Sequence, residues 1–115
     1  MQKMNNEYGA PLDRNGYAPS ILCNDEHTCW LCECTGGRME RHEVFGGALR
    51  DKSKAHGLWL VLCPGCHRTE PHAVHRNAET AKSMKIFGQT MAMEYYGWDM
   101  PDWLGRYYKN YREDC

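Results

Sequence analysis

No apolar run in this 115-residue chain approaches the ~20 residues that cross a bilayer. A helical membrane span is therefore not expected, and neither is a membrane partner. The opening stretch, Met1 to Tyr17, is polar and carries Gly and Asn, so it lacks the layout of a secretory leader. Strong charge of one sign is missing too, with a net charge of −1. There is no internal repeat and no low-complexity tract. The cysteines lack an even count: there are seven, whereas a pure disulfide scaffold uses pairs. Together these absences predict a cytoplasmic, reducing setting, where paired cysteines read as metal ligands before disulfides.

What is present suits one small domain. A chain of this size buries a modest core, so a metal staple would help it fold. Charge is unevenly distributed. Residues 1–37 carry two basic against five acidic side chains, a net of −3. Residues 38–85 carry nine against five, a net of +4, and residues 86–115 carry three against five, a net of −2. The basic middle could meet phosphate, or it could be a solvated surface of mixed charge.

Residues 1–28 show no sustained hydrophobic period and are punctuated by Gly9, Pro11, Gly16 and Pro19. They read as an extended, partly mobile arm, with residues 1–22 dispensable to the core. Residues 29–115 form the domain proper. A short strand is expected through Met39 to Phe45, ended by Gly46 and Gly47. A polar, basic loop or a single helical turn follows over 48–57. The apolar run Leu58-Trp-Leu-Val-Leu62 reads as a buried strand. A helix is expected from Asn77 or Ala78 to Tyr96, with Asn77 as N-cap and Gly97 just past the end. Met84, Phe87, Met91 and Tyr95 would form its inward face. A last helix is expected from Pro101 to about Tyr111, with Trp103, Tyr107 and Tyr111 on one face. That face reads as core in preference to a base-stacking platform.

Two C-x-x-C knuckles stand out, Cys29/Cys32 and Cys63/Cys66, with thirty residues between Cys32 and Cys63. Each knuckle aims two thiolates at one ion, and two knuckles complete a tetrahedral shell for zinc. The alternatives are a pair of buried free thiols or a redox C-x-x-C, and a redox motif would explain one pair but not both. Cys34 could replace Cys32 as a ligand, while Cys23 and Cys115 read as free thiols. Four thiolates leave no open position on the metal, so this zinc should hold structure and do no chemistry.

Chemistry must then come from elsewhere. His42 and Glu43 sit at the end of a predicted strand, His67 follows the second knuckle, and His75 precedes the long helix. These groups converge if the two strands form a hairpin and the helix packs across it. Such an arrangement suits metal-dependent phosphodiester hydrolysis, where one group activates water and others hold a divalent ion. His27, His56 and His72 read as surface residues.

The order of motifs resembles the HNH (ββα-metal finger) endonucleases, in particular small phage- and prophage-type members. The resemblance rests on Cys29-x-x-Cys32, His42-Glu43-Val44-Phe45-Gly46-Gly47, Arg50, Ser53, Gly57-Leu58, Cys63-Pro-Gly-Cys66-His67, Val74-His75 and Gly88-Gln89. It covers about residues 29–114. It implies an α+β fold: a small zinc-stabilised ββα-metal finger with a C-terminal helical extension. It implies a DNA endonuclease or nickase using Mg²⁺ or another divalent ion, held among His42, Glu43, His67 and His75. One of His42 and Glu43 would be the base and the other a ligand. Arg41, Arg50, Lys52, Lys54 and Arg68 would hold the DNA backbone. If phage-encoded, the protein would work in the bacterial host's cytoplasm. Glu43 stands where the family often has His, and Leu49 where it tends to have Asn. Leu49 and the acidic flanks favour an alternative: an inactive HNH scaffold that binds DNA or inhibits a host protein.

Overall fold

A computed structural model describes residues 5–112 of the chain. Cys115 lies outside them. The described chain is α+β, built on a two-stranded antiparallel sheet and helices. Strand β1 (Glu40–Glu43) pairs with β2 (Trp59–Leu62), setting His42 opposite Leu60 and Glu43 opposite Trp59. All four residues of β2 are buried, as its unbroken apolar run requires. Successive side chains of a strand alternate in direction, so Glu40 and His42 share one face of β1. Val44 and Phe45 lie past the end of β1 but stay buried, with Val44 N donating to Leu58 O at 3.1 Å.

The segment after the glycine break is more ordered than a loop. A 3₁₀ turn over Gly47–Leu49 leads into α1 (Arg50–Ala55). Buried Ser53 ties α1 to the segments just beyond β1 and just before β2: its Oγ donates to Leu58 O at 2.6 Å and accepts from Phe45 N at 3.2 Å. Gly57 has φ +73°, and a Cβ there would stand 2.4 Å from the Pro19 carbonyl oxygen. Both the backbone conformation and the close approach demand glycine.

Helix α2 (Ala78–Tyr96) has the ends expected of it. Asn77 Oδ1 accepts from Glu79 N and Thr80 N at 3.0 and 3.1 Å, and Gly97 is left-handed at φ 70°. Its inward face differs from the expected one. Met84, Gly88, Gln89 and Ala92 are buried, while Tyr95 is 66 % exposed. Gly88 is the reason: a Cβ there would come within 3.1 Å of the Phe45 ring and 3.2 Å of Val44, so the helix seats its barest position on the end of the hairpin. Gln89 is satisfied inside the core by Asn110 Oδ1 at 3.0 Å and Tyr111 N at 2.7 Å.

Helix α3 (Met100–Tyr107) opens on a capping box between Asp99 and Asp102, with Pro101 in its first turn. Trp103 and Tyr107 are buried with rings stacked 4.3 Å apart, against Phe45. They are core, as read. The helix stops at Tyr107, short of Tyr111, because Tyr108 turns left-handed at φ 70° and Trp103 Nε1 holds Lys109 O at 2.8 Å. No described helix is long and apolar enough to cross a membrane.

Residues 5–28 contain no helix or strand, yet they lie against the core. Ala18 and Leu22 are buried. Ala18 N and Ile21 N donate to Lys54 O and Gly57 O, both at 3.0 Å. Asn6 Nδ2 donates to Ala55 O, and Trp59 Nε1 to Ala18 O, each at 2.8 Å. These bonds argue against residues 1–22 being dispensable, since buried polar groups left unpaired are costly.

Candidate metal centres

The first knuckle is a tight turn in which Glu33 N donates to Cys29 O and Cys29 N to Cys34 O, both at 2.9 Å. Glu33 takes the left-handed conformation at φ 65° to close it. Trp30 N donates to Val61 O at 2.9 Å, which docks the knuckle beside β2. The second knuckle leaves the end of β2, with His67 N donating to Cys63 O at 2.9 Å. The chain thereby brings Sγ of Cys29, Cys32, Cys34 and Cys63 within 4.8 Å of one another. Cys32 and Cys63 stand 3.8 Å apart. Cys66 stands beside them, its backbone N donating to Cys63 Sγ at 3.5 Å. Three of the four sequence-derived ligands, Cys29, Cys32 and Cys63, therefore meet, and Cys34, not Cys66, is the fourth member of the mutually close set. The group could hold a metal ion.

Crowded thiols divide their charge unequally. Hydrogen bonds from the Cys34 backbone and thiol bring Cys32 down to about 6. The bond to Cys32 in turn pushes Cys34 up to about 12, and burial pushes Cys66 up. Exposed His72 also reaches this group, its Nε2 3.3 Å from Cys66 Sγ. Cys23 lies apart, beside Ser20 at 3.7 Å.

A second group forms on the other side of the second knuckle. His42 comes from β1, His67 from the turn Gly65–Thr69 and His75 from just before α2, and their ligating nitrogens lie within 4.8 Å of one another. His67 and His75 approach to 3.0 Å between Nε2 atoms. Burial, then the neighbouring histidines, drive His42 down to about 3, and burial also lowers His75. Both rings are thus neutral near pH 7 and offer lone pairs. Glu40 Oε1 meets His67 Nδ1 at 2.7 Å, which turns Nε2 toward the group. The same bond to His67 lowers the Glu40 carboxyl. Sequence reasoning missed Glu40, although its two-residue spacing from His42 placed it on the same strand face.

Both groups' surroundings differ. The histidines open onto a cleft of about 510 Å³, which Glu43, Arg50, Arg68 and Lys85 also line. Glu43 is not in the histidine group. Its carboxylate accepts from Arg50 Nε at 3.1 Å and from the Tyr17 hydroxyl. Burial, then Glu43, raises Tyr17 to about 12, so its hydroxyl remains a donor.

The expected phosphate contacts separate into two sets. Arg50 and Arg68 line the cleft with side chains 59 % and 63 % exposed. Arg41 also lines it, but its guanidinium lies over the Tyr17 and Trp59 rings at 4.5 and 4.6 Å and pairs with Asp13 at 3.0 Å and Glu26 at 3.5 Å. Lys52 and Lys54 point elsewhere, to Arg106 O at 2.9 Å and Asn15 O at 3.2 Å. Lys85, on α2, is the cation that sequence reasoning missed. Leu49 packs against the core.

His56 corrects a sequence expectation. It is buried, not at the surface, with Nε2 2.6 Å from Glu7 and Nδ1 2.7 Å from the Tyr107 hydroxyl. His27 is exposed as expected. Comparisons with protein-family models, with curated proteins and with solved structures each find no match.

Proposed function

We propose that the chain is a metal-dependent DNA endonuclease or nickase of HNH type. One observation carries this reading: His42, His67 and His75 gather from strand, turn and helix start into a cleft shared with Glu43 and four cations. The element order β1, β2, α2, with β1 and α2 both lining that cleft, suits a ββα-metal finger.

In this reading His42, His67 and His75 are ligands of an exchangeable divalent ion, and Glu43 is the base. The low pKa of buried His42 suits a ligand's lone pair. A donor set of three imidazoles suits a transition ion better than Mg²⁺, which prefers oxygen. Such an ion, when bound, polarises the scissile phosphate and stabilises the leaving oxygen. Glu43 takes the proton of the attacking water. Arg50, Arg68 and Lys85 hold phosphate oxygens, a contact that carries no sequence information. Cys29, Cys32, Cys63 and Cys66 hold a separate structural zinc, with Cys34 available as a fifth thiol.

The test is plasmid nicking. The purified protein is incubated with supercoiled DNA and Mg²⁺, Mn²⁺ or Ni²⁺, beside His42→Ala. Nicking that needs both metal and His42 supports the enzyme. A second reading is an HNH-like scaffold that binds DNA or a host protein without cutting. Leu49 in the core and the pairing of Glu43 with Arg50 favour it. A folded, zinc-loaded protein that never nicks would select that reading.

A further inference from the structure

The segment before the first knuckle sends one side chain into the cleft. Tyr17 lines it, and its hydroxyl donates to Glu43 Oε2. The other carboxylate oxygen, Oε1, accepts from Arg50 Nε at 3.1 Å. Each oxygen of Glu43 therefore has one fixed partner. A carboxylate has about four lone-pair sites, so acceptor capacity remains for a third group. The Glu43 side chain is only 14 % exposed.

Tyr17 is itself held on every side. Asp13 Oδ1 accepts from Asn15 N at 2.9 Å and Tyr17 N at 3.0 Å. Asp13 N donates to Tyr17 O at 2.9 Å, and Gly16 takes φ +89° to close the turn. The Tyr17 ring meets Trp59 edge-on at 5.4 Å, and Arg41 covers it at 4.5 Å. Arg41 returns to the turn by pairing with Asp13 at 3.0 Å. A surface tyrosine that served only to cover Trp59 would need no such turn.

We infer that Tyr17 is a positioning residue for Glu43, so that the N-terminal segment completes the candidate active site. This rests on the reading of Glu43 as the base. A base works from a fixed position within hydrogen-bond reach of its proton, and a partner that stops the carboxylate from rotating supplies that position. Tyr17→Phe deletes the hydroxyl and leaves the ring, its stacking and its cover by Arg41.

The test measures plasmid-nicking kinetics of the full chain with Mn²⁺ or Ni²⁺, for the parent, His42→Ala, Tyr17→Phe, Glu43→Gln and the Tyr17→Phe/Glu43→Gln double variant. Tyr17→Phe should lower kcat by ~10–100-fold, the usual effect of removing a supporting partner. KM and melting temperature should stay near the parent's. In the Glu43→Gln background the same change should do nothing more, because the two residues act as one unit. If His42→Ala is dead but Tyr17→Phe matches the parent, the Tyr17 role is overturned and the enzyme reading stands. A loss confined to KM, or losses that add in the double variant, would make Tyr17 a structural pin and overturn the inference. A parent that never nicks would overturn the enzyme reading and this inference with it.

Discussion

The Nε2 atoms of His67 and His75 stand 3.0 Å apart, the first held in place by Glu40 through Nδ1 at 2.7 Å. Two ring nitrogens at that separation share a proton or flank a cation. With His42 beside them they make a three-nitrogen face. Glu40→Gln keeps the shape of the side chain but weakens the hold on His67. It should lower affinity for Ni²⁺ or Co²⁺ by ~10–100-fold, measured by titration calorimetry on zinc-loaded protein. Unchanged affinity would mean that the carboxylate does not orient the ring.

The thiol group should behave differently. Purified protein should carry about one structural zinc per chain, since four of its thiols make one tetrahedral site. Cys63→Ser should lose the metal and unfold the domain, because binding and folding are coupled. Cys34→Ser should keep both metal and fold if the knuckle pairs are the ligands. Elemental analysis and circular dichroism check the three statements. Loss of zinc in Cys34→Ser would make Cys34 a ligand.

His56 gives a pH dependence with a definite sign. Burial lowers its pKa, opposed by Glu7, while Arg106 and Lys52 add to the lowering. Tyr96, Trp98 and Tyr107 close around the ring. A histidine whose folded pKa lies below its unfolded value favours unfolding when protonated. Its stability contribution is whole above about pH 6.5 and declines as pH falls below it. Glu7, lowered first by its bond to Arg106, acts with the same sign at lower pH. Melting temperatures from pH 8 to pH 5 should therefore fall more steeply for the parent than for His56→Gln. Parallel slopes would contradict this.

Removal of residues 1–22 should destabilise the domain by at least about 2 kcal/mol, the scale of leaving one or two buried polar groups unpaired. Urea unfolding of the truncated chain measures it. The acceptors and donors at stake are Lys54 O, Gly57 O and Trp59 Nε1. A midpoint equal to the parent's would mean that water replaces the segment without loss.

What could be read in the sequence was local. Asn77 and Gly97 mark the ends of α2 through bonds within the helix's own turns, and both stand where expected. The two knuckles are local as well, and their meeting follows from the hairpin between them. What escaped depends on distant partners. Gln89 is buried because Asn110 and Tyr111 reach back to it from 21 and 22 positions away. His56 looked like a surface residue because its partners Glu7 and Tyr107 lie 49 and 51 positions away. Charge alone could not show that Lys52 and Lys54 are spent on Arg106 and Asn15, or that Lys85 faces the cleft.

The most direct measurement is the initial rate of plasmid nicking by His75→Ala against the parent, in Ni²⁺ or Mn²⁺, with zinc content and melting temperature recorded on the same samples. His75 lines the cleft and is exposed, so its loss should spare the fold. The account predicts nicking by the parent that depends on added metal, and at least a ~100-fold lower rate for His75→Ala at unchanged zinc and stability. Equal rates in the two proteins, or no nicking by a folded and zinc-loaded parent, would contradict it.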